Sequence, residues 1–193
     1  RDTIRELVFK RLPKRYGFNA FEDIQVLSPM KRGIIGTHNL NDTLQKTLNP
    51  SQEPLEKYGR RFHVSDKVMQ MVNNYDKDVF NGDTGVISKI DSEESEMLIT
   101  FDGRDVIYDF SELDEISLAY AISIHKSQGS EYPIVVIPIS TQHYTMLAKN
   151  LVYTGVTRGK KMVVLIGQKK AVLMAIKNIS QVERLTNLRE RLE

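Results

Sequence analysis

Two short segments hold most of the residue types that could bind an anionic ligand. The first is His125-Lys126-Ser127-Gln128-Gly129-Ser130-Glu131, and the second is Tyr153-Thr154-Gly155-Val156-Thr157-Arg158-Gly159-Lys160-Lys161. In the first, Lys126, Ser127 and Gln128 offer donors to phosphate or ribose, and Gly129 lets backbone approach a ligand closely. In the second, Arg158 carries a planar fork suited to phosphoryl oxygens. Both are polar and basic, as the ligand-binding edges of α/β sheets are. A third stretch, Lys31-Arg32-Gly33 with Gly36, could form another phosphate-facing loop. Taken alone, each also reads as plain structure: a strand-to-helix turn, cations complementing a helix C-terminus, a solvated basic turn.

Several chemistries find no residues. The chain has no cysteine, which removes disulfides, thiolate catalysis and sulfur metal sites together. Histidines 38, 63, 125 and 143 lack H-E-x-x-H spacing, and no carboxylate cluster suggests a divalent metal, so no protein-held metal and no nuclease chemistry are assigned. Nowhere does G-x-x-x-x-G-K-[ST] occur, the loop whose backbone amides cradle nucleotide phosphates. Gly82-Asp83-Thr84-Gly85 lacks the lysine.

The elements that must position these residues follow from composition and period. With 193 residues and 40% hydrophobic content the chain can bury a core. No apolar run reaches membrane-spanning length and no signal-peptide core opens the chain, so no membrane partner and a cytoplasmic location are expected. The net charge of +2 is uneven. Residues 60–115 carry 6 Lys/Arg against 14 Asp/Glu, a net −8, and the remainder carries +10. An acidic module is inserted into a basic one, and the basic part suits nucleotide or nucleic acid.

Helical spacing covers residues 2–12, with Pro13 expected to stop the helix, and a buried strand follows at 24–27. Leu40, Leu44 and Leu48 then recur on one helix face until Pro50. Strand-like alternation takes over at 67–73, 85–91, 96–102 and 104–110, with Asp102-Gly103 suited to a type I′ hairpin turn. From residue 118 the pattern returns to α/β: strand 118–124, loop 125–133, strand 134–138, helix near 144–156, strand 162–167, helix 171–177. A charged amphipathic helix is expected over 179–192.

Joined together, Leu118-Ala119-Tyr120-Ala121-Ile122-Ser123-Ile124-His125-Lys126-Ser127-Gln128-Gly129-Ser130-Glu131-Tyr132-Pro133 and Leu151 to Lys161 resemble motifs V and VI of superfamily 1 helicases. Val26-Leu27-Ser28-Pro29-Met30-Lys31-Arg32-Gly33, with Leu40, Asn41 and Gln45, is similar to motif IV of the RecD/TraA branch, which includes exodeoxyribonuclease V alpha subunits. Asp66-Lys67-Val68-Met69-Gln70, Asn73-Asn74-Tyr75-Asp76 and Val79-Phe80-Asn81-Gly82-Asp83 resemble that branch's SH3-like insertion.

The resemblance implies an α/β fold: a second RecA-like (P-loop NTPase-type) domain with a parallel sheet, interrupted by an all-β SH3-like insertion. Residues 1–56 and 117–193 would form the two parts of the RecA-like domain, and 57–116 the insertion. Arg158 matches the motif VI arginine expected at the γ-phosphate of ATP. Gly129 and Glu131 match positions that couple nucleotide to DNA, and Lys31 and Arg32 match the basic part of motif IV. Ser123, His125 and Lys126 match positions near the DNA backbone, while Tyr75, with Phe80 and lysines such as Lys77, could make a stacking platform. Gly155 and Gly159 stand where many superfamily members have alanine, so the motif VI helix is expected to shorten. The implied ligands are ATP with Mg²⁺ and single-stranded DNA, translocated 5′ to 3′. Implied partners are a first RecA-like domain carrying the phosphate loop upstream and other recombination-complex subunits. The alternative is a non-catalytic nucleic-acid or protein-binding module with a degenerate nucleotide fold.

Overall fold

The apolar runs on either side of the acidic stretch assemble into one parallel sheet. In the computed structural model, which describes residues 1–50, 53–141 and 148–178, that sheet contains β1 (Ile24–Ser28), β9 (Ala121–Ser123), β10 (Tyr132–Ile139) and β11 (Gly159–Gly167). Their spatial order is β11-β10-β1-β9. Val26 lies level with Val136 on one side and with Ala121 on the other. A parallel sheet covered on both faces needs continuous apolar runs rather than alternation. Accordingly every residue of β1 is buried, and Ile134, Val135, Val136 and Ile137 have no exposed surface.

Helix α3 (Thr37–Leu48) buries Leu40 and Leu44, as their four-residue spacing requires. At the N-terminus, α1 (Asp2–Glu6) runs through a π-helical stretch, Leu7–Arg11, into α2 (Leu12–Tyr16), burying Ile4, Val8 and Leu12 on one face. Pro13 therefore does not stop this helix. It sits in the first turn of α2, where the wider π turns before it have already re-routed the ladder a proline would break. The helix ends at Gly17 instead, in the left-handed region, with its N–H donating to the Pro13 carbonyl at 2.9 Å.

The acidic stretch is antiparallel β. A hairpin, β2 (Leu55–Lys57) and β3 (Arg60–Phe62), precedes a five-stranded sheet of β4 (Lys67–Gln70), β5 (Thr84–Asp91), β6 (Glu96–Phe101), β7 (Arg104–Asp109) and β8 (Ile116–Leu118), in the order β7-β6-β5-β4-β8. Asp102 and Gly103 take φ of 47° and 81°, the positive pair that a type I′ turn needs, and Phe101 pairs with Arg104 across it. Met97 and Ile99 of β6, with Phe62, Val68, Ile87, Tyr108 and Ile116, fill the interior without exposed surface.

The single strand expected over 118–124 is two strands in two sheets. Leu118 pairs with Val68 in the antiparallel ladder, and Ala121 pairs with Val26 in the parallel one. Apolar side chains at 118–124 satisfy either ladder, so the break at Ala119-Tyr120 is set by hydrogen bonding. Asn41 Nδ2 donates to the carbonyls of Leu118 and Ala121 at 3.0 and 2.9 Å, and the Ala119 N–H donates to the Lys67 carbonyl at 2.8 Å.

A second joint is built on Asp66, whose side chain lies in the core with no exposed surface. Its carboxylate accepts from Gln45 Nε2 at 2.5 Å, and from Asn49 Nδ2, the His63 N–H and the Tyr120 hydroxyl at 2.8 Å each. Four donors satisfy a buried carboxylate that would otherwise be costly. Burial and the Asp66 charge push the Tyr120 phenol well above the usual tyrosine range. Leu40, Leu44, Phe62, Val68 and Tyr120 belong to one apolar cluster, so the acidic module is fused to the parallel-sheet part through a shared core.

Two more helices complete the described chain, α4 (Lys149–Val156) and α5 (Lys169–Lys177). The start of the helix expected near 144–156 and the whole of that expected over 179–192 lie outside the described residues. No helix among the described residues is long and apolar enough to cross a membrane.

Candidate functional site

The carboxyl ends of β1 and β9 lie level, Ser28 against Ser123. Beyond Ser28 the chain turns through exposed Lys31 and Arg32 into α3, and the Thr37 and His38 N–H groups close the loop on the carbonyls of Met30 and Lys31 at 3.0 and 3.2 Å. Beyond Ser123 comes a 3-10 turn, Ile124–Ser127, capped by the Ser123 hydroxyl, which accepts from the Lys126 N–H at 3.3 Å. Ile124 and Ser127 face inward, which leaves His125 exposed and Lys126 half-buried. Burial pushes the Lys126 ammonium below the usual lysine range, and the Lys31 charge adds to that. Neither lysine forms an ion pair among the described residues. A cleft of about 180 Å³ opens here, lined among others by Lys31, Ser123, Lys126, Met69 and Met71.

The acidic module contributes its 73–81 loop to the same edge. Lys126 Nζ donates to the Asn81 side chain and lies 3.5 Å from the Met71 carbonyl. Asn81 is held in turn by its N–H donating to Asn73 Oδ1 at 3.0 Å. On this loop Tyr75 is 76% exposed and stands edge-on to Phe80, with ring centroids 5.9 Å apart. Lys77 does not join this aromatic pair. Its ammonium bonds Glu112 at 3.1 Å and the Ile107 carbonyl at 2.9 Å, back on its own sheet, whereas Lys126 bonds Asn81, the residue after Phe80.

Arg158 lies at the other edge of the sheet. The sequence set one basic segment after a strand and the other before a strand, and because the sheet is parallel these positions fall at opposite ends of it. Arg158 precedes β11, and its carbonyl accepts from the N–H of Tyr132, the first residue of β10, at 2.8 Å. Ser123 is level with Ser28, whereas Tyr132 lies two positions before Ile134, which is level with Ile24. The two clusters are therefore roughly 20 Å apart along the strands. Residues 124–131 connect them.

The Arg158 guanidinium donates to the carbonyls of Thr154 and Ser130 and to the Thr157 hydroxyl, each at 3.2 Å. All three acceptors are neutral, so its charge is not cancelled by any of them. Beside it, Glu131 pairs with Lys160 at 3.1 Å, both more than half exposed. Gly129 takes φ +85°, a conformation that gives the connection its turn and that a side chain would strain. Helix α4 ends at Val156, where the sequence spacing puts its end. Gly155 lies inside that helix, and a Cβ there would sit 2.9 Å from Ile137 Cδ1 and 3.4 Å from Ile124 Cδ1. The glycine thus seats α4 directly against the 3-10 turn that carries Lys126.

Comparison with known proteins agrees with this architecture. Residues 40–101 match the ATP-dependent RecD-like DNA helicase SH3 domain family, and residues 118–166 match the UvrD-like helicase C-terminal domain family. The chain is 36% identical over 137 residues to the ATP-dependent RecD2 DNA helicase of Deinococcus radiodurans, covering 71% of this chain and 19% of that protein. It is 30% identical over 185 residues to the RecBCD enzyme subunit RecD of Mycolicibacterium smegmatis, covering 93% of this chain and 31% of that one. The chain thus spans less than a third of the length of these curated relatives. Its fold is similar to that of a Bacteroides Pif1 helicase solved in complex with ADP-AlF3 and ssDNA, with a TM-score of 0.60 at 14% identity over 91% of this chain and 47% of that chain. With both helicase domain families matched and RecD relatives aligned over most of its length, the chain belongs to the RecD-like DNA helicases.

Proposed function

We propose that the chain forms the C-terminal part of an ATP-dependent DNA helicase that moves along single-stranded DNA in the 5′-to-3′ direction. In this reading residues 1–56 and 117–193 are one RecA-like domain and residues 57–116 its SH3-like insertion, except that Leu55, Glu56, Ser117 and Leu118 at the two joints pair in the insertion's antiparallel sheets. The first RecA-like domain of the same parent protein supplies the phosphate loop that this sequence lacks. The observation that carries the reading is the placement of two basic clusters at opposite edges of one parallel sheet, joined by residues 124–131.

Arg158 is the arginine finger in this scheme. Its donors rest on neutral oxygens, and a nucleotide's γ-phosphate is a stronger acceptor than the Ser130 carbonyl it now holds. ATP with Mg²⁺ supplies the phosphoanhydride whose hydrolysis drives the cycle. When Arg158 exchanges Ser130 for phosphate, it releases the connection that includes Gly129 and Glu131. That connection leads directly to Ser123, His125 and Lys126, which with Lys31, Arg32 and Tyr75 hold the strand. The arginine thus senses nucleotide at one edge and changes the constraint on DNA-binding groups at the other. Partner subunits of a recombination complex belong to the same reading, by likeness to a RecBCD enzyme subunit.

Single-strand-stimulated ATPase activity of the full-length parent, wild type against Arg158→Ala, tests this. A loss of about 10³-fold or more with folding intact is expected for an arginine finger. Unchanged turnover would make Arg158 structural and return the chain to a binding module. The isolated chain is expected to hydrolyse ATP negligibly, and robust turnover by it would overturn the division of labour between the two domains.

A further inference from the structure

The acidic module carries a net charge of −8 over residues 60–115, which opposes nucleic-acid binding if its charge is spread evenly. It is not spread evenly around the groove between α3, the β2–β3 hairpin and β8. That groove encloses about 500 Å³, and the 60–115 stretch contributes to its lining only Arg60 and Arg61, none of its carboxylates. Helix α3 adds His38 and Lys46, and Asp42 is the one carboxylate in the wall. The groove is continuous with the smaller cleft at Lys31 and Lys126, since His38, Asn41, Arg60, Ser117 and Leu118 line both.

We infer that the single-strand path does not end at the Lys31–Lys126 cleft but continues through this groove, where Lys46 and Arg61 take the phosphates of further nucleotides. The inference rests on the reading of the cleft as the strand site. Arg61 is held only by Glu56, at 2.8 Å, with both side chains about 60% exposed. An exposed pair of that kind is weak and yields readily to phosphate. Lys46 makes no ion pair among the described residues and is exposed. Arg60 donates to the carbonyls of Asp114 and Ile116, which fixes its charge in the floor rather than leaving it to swing into solvent.

Tyr58 adds a stacking face. The residue is 53% exposed, its hydroxyl is tied to the Ser111 carbonyl at 2.9 Å, and Lys57 Nζ stands 5.9 Å from the ring centroid, so the ring is held in place beside a further cation. Cations along a groove with a fixed aromatic face are the requirements of an unpaired strand, whose bases are free to stack. A duplex offers no such face.

The test is fluorescence anisotropy of this chain with oligothymidylates of about 5 and about 16 nucleotides over a salt series, lengths that bracket single-strand site sizes. Lys46→Ala combined with Arg61→Ala should lower the salt slope of the longer oligomer by about 1.4, two phosphate contacts at about 0.7 each. Binding of the shorter one should change by less than about twofold, as expected for a probe filling the cleft alone. Lys89→Ala, on an exposed lysine paired with Asp91 away from the groove, should leave both slopes as in wild type. An unchanged slope in the double variant with normal binding of the short oligomer would confine the strand to the cleft and overturn the extension alone. Failure of Lys31→Ala with Lys126→Ala to weaken the short oligomer would instead overturn the cleft as the strand site. Binding of neither oligomer by wild type at low salt would overturn both.

Discussion

Asn41 and Ala121 exchange two hydrogen bonds, the Ala121 N–H donating to Asn41 Oδ1 at 2.7 Å and Asn41 Nδ2 donating to the Ala121 carbonyl at 2.9 Å. The side-chain amide stands where a neighbouring strand would stand, on the open side of β9. It therefore finishes the edge of the parallel sheet at the point where the chain leaves the antiparallel one.

Replacing this residue, Asn41→Ala, strands a buried N–H and deprives two carbonyls of a donor. The expected cost is about 2–4 kcal/mol, read from urea unfolding midpoints at constant m. Asn41→Asp, which keeps one acceptor but sets a buried carboxylate oxygen against the Leu118 and Ala121 carbonyls, should cost at least as much as Asn41→Ala. Equal midpoints for wild type and Asn41→Ala would mean that water replaces the amide and that the joint is held by the Asp66 network alone.

Lys67 gives the molecule a stability that depends on alkaline pH. Its ammonium lies 5.9 Å from the Tyr132 ring centroid and 3.5 Å from the Phe21 carbonyl, and burial pushes its pKa down to about 8. Below that value both folded and unfolded chains carry the charge, and the folded chain bears the whole desolvation cost. Between about 8 and the ordinary lysine value near 10.4 the unfolded chain binds more protons, so stability rises with pH. Lys67→Met should remove that rise, leaving a difference between the two proteins that shrinks by up to about 3 kcal/mol across the window. A difference that stays constant with pH would show that the ammonium is hydrated in the folded state.

The two kinds of strand contact proposed at the carboxyl edge separate by their salt dependence. Tyr75→Ala should weaken oligothymidylate binding by about 1–3 kcal/mol with the salt slope intact, because stacking releases no counterions. Lys126→Ala should lower the slope by about 0.7. A salt-slope change on Tyr75→Ala equal to that of the lysine variant would mean that the tyrosine acts by shaping the loop around Asn81.

Much of the fold could be read locally. The run from Ile134 to Ile137 has one solution in an α/β chain, a strand buried on both faces, and Asp102-Gly103 can turn a hairpin whatever surrounds it. Arg158, Gly129 and Lys126 were legible as candidates through the resemblance of two segments, taken together, to helicase motifs. Pro13 was misread because its effect depends on the π turns before it, which no periodicity announces. Asp66 was named only as part of a resemblance: as one of 14 acids between residues 60 and 115, it becomes the core's polar hub only when Gln45, Asn49, His63 and Tyr120 converge on it.

What the sequence by itself determined is the set of local commitments: which runs are strands, where the hairpin turns, which charges sit together along the chain. These depend on side-chain chemistry and on short-range backbone preference, both present in any window of the chain. Tertiary structure alone decided that residues 118–124 divide between two sheets, since an apolar side chain serves either ladder equally and only distant hydrogen-bond partners distinguish them. It also decided how far apart Arg158 and Ser123 lie, because that distance is a matter of strand register. And it decided that an acidic module turns Arg60 and Arg61, rather than any carboxylate, toward the groove it shares with α3. Net charge is a property of a sequence, but the field at a surface depends on where folding puts each charge.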